Sequence, residues 1–353
     1  MVVPKISVVI PTLNRAAVLA QTIDRIESQT VSRESYDVIV VDNASTDDTR
    51  LVLEAKSRQH SNLKFLFQSK PGAAATRNAG VRATTADVVL FIDNDIFAEP
   101  DLIERHLEYH SQHSNAAVIG RVITPWNDRV DPFLRYLRHR GIYNPYSIAS
   151  GAIDFSYYHT GNVSTPRVAL LAAGAFNEEF LIYGMEDIEA GYRLEKLGCR
   201  MVNGERARGV HQYFPTYEEF VSRCEQAGYS LGKLIELHPE LEKRFVESGK
   251  WTRLLKPFHH LYSVSARAIE SASRWLVHRE SRRGTGPIAH LLELHYYWSI
   301  RYHFFVGYSQ YRYDSRNGNA HHNVVRFGSR RLPDFAVQPI EPDKQSARSA
   351  RLS

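Results

Sequence analysis

The chain has 353 residues, 43% of them hydrophobic and 24% charged, with a formal net charge of +5 at pH 7. These proportions exclude a disordered or fibrous chain, and two cysteines exclude a disulfide framework or a cysteine-based zinc site and fit a reducing compartment. The charge is uneven: residues 250–353 hold 17 Lys and Arg against 7 Asp and Glu, so the tail is basic and the preceding 249 residues are net acidic.

The opening sequence MVVPKISVVIPTLNR lacks the layout of a signal peptide and reads as a first strand over 6–11, β-branched and apolar enough to be buried on both faces. A helix follows over 16–29, its apolar residues at Val18, Leu19, Ile23 and Ile26 falling at helical spacing. YDVIVVD (36–42) is a second buried strand, and Ser45-Thr46-Asp47-Asp48 caps a helix running to about Arg58. The pattern repeats with a strand over 63–68, a short alanine-rich helix over 72–83 and a strand over 87–93, then a helix over 100–110 and a strand over 116–123. Residues 125–155, rich in Arg, Tyr, Pro and Gly, have weak periodicity and read as an irregular segment over the active face. Helices are expected over 217–238, 252–279 and 288–311, and disorder after Leu332. No stretch reaches about 18 uninterrupted apolar residues, so no membrane span and a cytoplasmic location are expected.

Strands alternating with helices imply a mainly parallel sheet covered on both faces, with ligands at the carboxyl ends of its strands. Polar residues just after each strand are therefore the first candidates for chemistry. Asp93-Asn94-Asp95 leaves the sheet after a strongly apolar strand, and two carboxylates so spaced can reach one hard cation and a ribose together; a plain turn is the alternative. Asp42, ending the second strand, can accept from the ring N–H of a uracil, with loop capping left to Asp47 and Asp48. Arg77 and Asn78 lie among small residues that allow close backbone approach, where Arg77 can meet a diphosphate; an ordinary surface arginine is the alternative and by itself the commoner case. Glu186 and Asp187 follow a glycine and open a helix. Asp187 is the candidate general base and Glu186 the candidate acceptor-binding residue, against a capping role for both. His211 is a candidate further metal ligand, because neutral imidazole suits ions such as Mn²⁺, although a lone histidine among 16 is more often structural.

The ordered set VVIPTLNR, VVDNASTDDT, GAAATRNAG, FIDNDIF, GMEDIEAGYRLEKLG and GVH, spanning about residues 5–212, resembles the family 2 glycosyltransferases of GT-A fold. Residues 173–198 also resemble a galactosyltransferase-type module. The resemblance implies that Thr12 and Asp42 hold the nucleoside of a nucleotide-sugar donor, and that Arg77 meets its base or diphosphate. It further implies that Asp93 binds ribose or water-linked metal, that Asp95 ligates Mn²⁺ or Mg²⁺ directly with His211, and that Asp187 is the base of an inverting displacement. No QxxRW motif is present, which favours single addition to a saccharide or lipid-linked acceptor over polymerisation.

The expected architecture is an α/β, GT-A-like (Rossmann-like) mainly parallel sheet flanked by helices, with a C-terminal helical extension. Residues 1–215 form the catalytic domain, with a nucleotide-sugar-binding half over 1–125 and an acceptor-binding half over 126–215. The extension covers 216–331 and a disordered tail 332–353. HLLELHYYWSIRYHFFVGY (290–308) reads as a helix packed on the domain or, with upstream arginines, as a peripheral membrane contact. No nucleic-acid motif is found, and none is expected to bind. A nucleotidyltransferase is disfavoured because Pro11-Thr12-Leu13-Asn14-Arg15 contains no glycine; a non-catalytic binding protein is disfavoured by the intact Asp95 and Asp187.

Overall fold

The computed structural model describes residues 4–125, 131–140, 153–247 and 287–318. Its first half follows the apolar pattern closely. The strands Ile6–Thr12 (β1), Tyr36–Asp42 (β2), Leu63–Phe67 (β3) and Val88–Ile92 (β4) lie parallel in the order β3-β2-β1-β4. Side chains from Ile6 to Ile10 and throughout β2 and β4 are buried, as strands covered on both faces must be, and each such Ile, Val or Leu contributes roughly 1.5–3 kcal/mol. The helices Ala16–Glu27 (α1), Thr49–Gln59 (α2) and Ala73–Ala83 (α3) alternate with these strands along the chain.

Beyond β4 the sheet becomes mixed. It continues through Asn162–Pro166 (β7), Ala116–Ile123 (β6), Arg200–His211 (β8) and the short Ile96–Ala98 (β5), giving the full order β3-β2-β1-β4-β7-β6-β8-β5. Strand β7 runs antiparallel to both β4 and β6, β8 is parallel to β6, and β5 is antiparallel to β8. The helix Leu102–Gln112 (α4) joins β5 to β6. Strands β5, β7 and β8 were not among the sequence expectations. In β7 the reason is composition, because Asn162, Ser164 and Thr165 are polar yet fully buried. Their atoms are matched internally: Asn162 Nδ2 donates to the Ala207 carbonyl at 3.0 Å, and His106 spans Ser164 Oγ and Asn162 Oδ1 at 2.8 and 2.9 Å. Burial pushes His106 down to about 3, so its ring is neutral and one nitrogen accepts while the other donates.

A second correction concerns 125–155. Within it the described residues include a regular helix, Pro132–His139 (α5), started by Asp131, whose carboxylate accepts from the Phe133 and Leu134 amides, and by Pro132 in the first turn. The helices Arg167–Ala172 (α6) and Glu186–Lys196 (α7) then lead to β8.

Among the described residues two long helices follow, Tyr217–Leu237 (α8) and Pro287–Arg316 (α9), the latter five residues longer than expected at its carboxyl end. A complete capping box at Thr216 and Glu219 starts α8. The aromatic residues of α9 are used in packing: Tyr296 meets Phe133 of α5 edge-on at 5.1 Å, and Leu292, Tyr308 and Tyr311 are buried. Among the described residues no helix is long and apolar enough to cross a membrane. The helix expected over 252–279 and the tail after Leu332 lie outside the described residues.

The α8–α9 crossing is set by glycine. A Cβ on Gly228 would stand 1.9 Å from the Phe304 carbonyl oxygen, and one on Gly307 would stand 1.9 Å from that of Glu225, so the two backbones touch where neither carries a side chain. Gly228→Ala should therefore force the helices apart. A loss of about 1–3 kcal/mol in urea-induced unfolding is expected; an unchanged midpoint and slope would contradict the contact.

Candidate active site

The site begins with Asn94. Its side-chain amide donates to Thr12 Oγ1 at 2.9 Å, and its backbone carbonyl accepts from Thr22 Oγ1 at 2.7 Å, fixing the turn after β4 to the end of β1 and the middle of α1. With the middle residue held, the flanking carboxylates diverge. Asp93 faces Arg77, whose Nη2 lies 3.4 Å from Asp93 Oδ1. Asp95 faces His211, with Oδ1 and Nε2 3.5 Å apart. The second pair depends on sheet topology: Ile96 of β5 pairs with His211 at the end of β8, and the Gln212 amide donates to the Asp95 carbonyl at 2.8 Å.

Thr12 and Asp42 are register partners on β1 and β2, so both open onto the same edge. Asp42 Oδ1 accepts from the Ser45 amide at 3.0 Å and thereby turns the following loop itself. Asp47 caps α2 through the Thr49 amide and also holds the Ala16 amide at the start of α1, both at 3.0 Å, whereas Asp48 makes no side-chain cap.

Arg77 is buried and joins the two acidic motifs. Its Nη1 donates to Glu186 Oε1 at 3.0 Å while Nη2 reaches Asp93. Asn78, beside it, has a different role: it exchanges two hydrogen bonds with the Phe176 backbone, at 2.8 and 3.0 Å, and pins the segment leading to Glu186. That segment ends in left-handed backbone, with φ of 98° at Gly184 and 69° at Met185, an uncommon conformation for methionine that delivers Glu186 and Asp187 to the first turn of α7. Gly184 also lies against α8, because a Cβ there would meet Ala227 at 3.1 Å.

The two adjacent carboxylates are tuned apart. Burial, and then the charge of Asp187, pushes Glu186 up to about 7 despite Arg77. Burial would also raise Asp187, but His159 hydrogen-bonds to it and Arg77 adds attraction, so its carboxyl is held below the ordinary 3.8. Asp187 Oδ1 accepts from the Ile188 amide at 2.8 Å, and Oδ2 lies 3.4 Å from His159 Nδ1. The amino terminus of α7 further favours negative charge there. His159 escaped the sequence reading because β7 did: an antiparallel strand brings its amino end to the carboxyl edge of its parallel neighbours, and residues just before Asn162 consequently face the site.

Asp95 is also held below the ordinary range. Burial opposes this, but the charge and hydrogen bond of His211, followed by the charges of Arg15 and Arg223, outweigh it. Burial, lessened by Arg77 and reinforced by Asp95, raises Asp93. An ionised carboxylate beside an imidazole is a donor set that fits Mn²⁺ or Mg²⁺. Among the described residues no group of three His, Cys, Asp or Glu side chains is placed to hold a metal, so Asp95 and His211 would leave most coordination positions to a ligand and water.

Every candidate read from the sequence thus lies at one edge of one sheet, linked from His211 through Asp95, Asn94 and Thr12 to Asp42, and from Asp93 through Arg77 to Glu186 and Asp187. The architecture is that of a GT-A-like α/β domain. Its relatives agree: residues 7–170 match the model of Glycosyl transferase family 2. The chain is 30% identical over 266 residues to validoxylamine A glucosyltransferase of Streptomyces hygroscopicus subsp. jinggangensis, covering 68% of this chain and 62% of that protein. It is 27% identical over 313 residues to chondroitin synthase of Escherichia coli, covering 77% of this chain and 45% of that protein. It thus spans less than two thirds of the length of both relatives. In fold it is similar to mannosyltransferase PcManGT from Pyrobaculum calidifontis in complex with GDP-Man and Mn²⁺, with a TM-score of 0.56 at 19% identity, covering 91% of this chain and 88% of that one. Over residues 7–170, just under half of the chain, the sequence is similar to glycosyl transferase family 2.

The raised Glu186 gives a linkage test. Because its folded value of about 7 exceeds the ordinary 4.5, its contribution to stability is fully present below pH 4.5 and is lost as pH rises through about 7. The stability of Glu186→Gln relative to the parent should therefore improve between pH 4.5 and 8, read as a difference in thermal midpoint. A difference independent of pH would show that Glu186 is not displaced from ordinary carboxylate behaviour.

Proposed function

We propose that the protein transfers a sugar from a nucleoside-diphosphate sugar, in the first instance a UDP-sugar, to a hydroxyl of a saccharide or lipid-linked acceptor, with inversion at the anomeric carbon. The observation that carries the reading is the presence of two separately partnered carboxylates at one edge of the sheet, Asp187 beside His159 and Asp95 beside His211. Asp187 is ionised and able to take a proton, while Asp95 is ionised beside His211 at the other side of the Asp93–Arg77 bridge. The family match supports glycosyl transfer, and the fold it shares with a mannosyltransferase carrying GDP-Man and Mn²⁺ agrees with a nucleotide-sugar donor and a divalent ion.

In this mechanism Thr12 and Asp42 hold the nucleoside, and Asp93, steadied by Arg77, meets the ribose. Asp95 and His211 would hold Mn²⁺ or Mg²⁺. When bound, that ion draws charge from the departing diphosphate. Glu186 positions the acceptor: its Oε1 is occupied by Arg77, whereas its buried Oε2 has no protein partner. Asp187 removes the acceptor proton as the hydroxyl oxygen attacks the anomeric carbon, and the bond from that carbon to the phosphate oxygen breaks with its electron pair leaving on the diphosphate. His159 keeps Asp187 ionised.

A panel of nucleotide sugars, scored by released nucleoside diphosphate with and without EDTA, tests the reading. Release is expected from one donor and is expected to need the metal. Asp187→Asn should lower turnover by about 100-fold or more, the ordinary worth of a positioned base, and Asp95→Ala should lose at least about tenfold. Full turnover in Asp187→Asn would remove it as the base.

The pH profile gives a separate check. A base whose pKa is depressed fails only as pH falls through that depressed value, so the acid limb of kcat/KM should lie below 3.8. His159→Gln removes the group that most lowers it and should move the limb upward. A limb that stays in place would separate His159 from the ionisation of Asp187.

A further inference from the structure

Two arginines add their charge to the Asp95–His211 pair. Arg223 on α8 lies outside the family-matched segment, yet its guanidinium stands 4.5 Å from the centre of the Tyr213 ring and 5.3 Å from that of Tyr183. Tyr213 follows His211 by two residues and packs edge-on against it at 5.9 Å, and Tyr183 precedes the Glu186-Asp187 turn. Arg15, at the start of α1, stands 5.5 Å from the same Tyr213 ring. Both guanidinium charges act on Asp95.

Tyr213 is itself fixed, because it is buried and its hydroxyl donates to Glu219 Oε2 at 3.1 Å within the capping box of α8. A guanidinium placed over aromatic rings can still donate from its planar N–H fork, the geometry that a phosphate accepts. Charge balance points the same way. Around Asp95 the charges of Arg15 and Arg223 face a single carboxylate, so a divalent cation at Asp95 and His211 would leave positive charge at that end of the site. Two phosphates of a donor would neutralise it.

We propose that Arg223, assisted by Arg15, grips the donor's diphosphate, so that α8 completes the donor site from outside the family-matched segment. The inference rests on the nucleotide-sugar reading above and adds to it the residue that senses the second phosphate. Arg223 is placed here as a binding residue and not as a proton carrier.

The test is calorimetric titration of the full chain in Mn²⁺ with four probes: UMP, UDP, GMP and GDP. The parent should prefer one diphosphate to its monophosphate. Arg223→Met should weaken that diphosphate by about tenfold, as expected for loss of a charge-assisted contact, and leave the monophosphate within about twofold. Arg223→Lys, which keeps the charge without the planar fork, should fall between. Equal weakening of mono- and diphosphate would reduce Arg223 to a support for Tyr213 and Tyr183 and overturn the proposal, as would no weakening at all. If the methionine variant does not fold, the lysine variant carries the same comparison. A parent that binds none of the four probes would overturn the donor reading itself, before any variant is made.

Discussion

Crowding of carboxylates at one edge of the sheet is the constraint around which the rest is arranged. Asp42, Asp93, Asp95, Glu186 and Asp187 all come to the ends of strands or to the first turn of a helix, where parallel β-strands and helix amino termini naturally gather polar groups. Left alone they would repel one another and resist burial. Each is instead answered by a particular partner: the Ser45 amide at Asp42, Arg77 between Asp93 and Glu186, His211 beside Asp95, and His159 beside Asp187. The answers are unequal, and that inequality separates an ionised Asp187 from a Glu186 displaced to about 7. On the proposed reading, one of these adjacent acids takes a proton and the other positions a hydroxyl.

The long helices belong to the same arrangement. Helix α8 touches Gly184 through Ala227, its Ser230 hydroxyl donates to the Tyr183 carbonyl at 3.1 Å, and its Arg223 lies over both tyrosines. Helix α9 holds α8 in place by backbone contact at Gly228 and Gly307. The turn bearing Asp187 is therefore braced from outside the sheet, and a change in the α8–α9 crossing would be felt at Glu186 and Asp187.

Local pattern made the first half of the fold legible. Continuous β-branched runs such as VVIP and VIVV can be satisfied only by strands covered on both faces, and their alternation with amphipathic helices implies parallel pairing. The departures were all non-local. Strand β7 is buried but polar because His106 and the Ala207 carbonyl, both far away in sequence, satisfy its side chains. Helix α5 has its apolar face against α9, more than 150 residues later.

What the sequence determined by itself was the set of acidic residues and the edge of the sheet where they gather, because a strand's carboxyl end follows from local chain direction. What the tertiary structure alone decided was the partner of each acid and hence its charge. His159 reaches Asp187 through an antiparallel strand, His211 reaches Asp95 through the β5–β8 pairing, and Arg223 arrives on a helix that follows the sheet. Ionisation depends on distance and burial in space, and these are fixed only when segments remote along the chain are packed together.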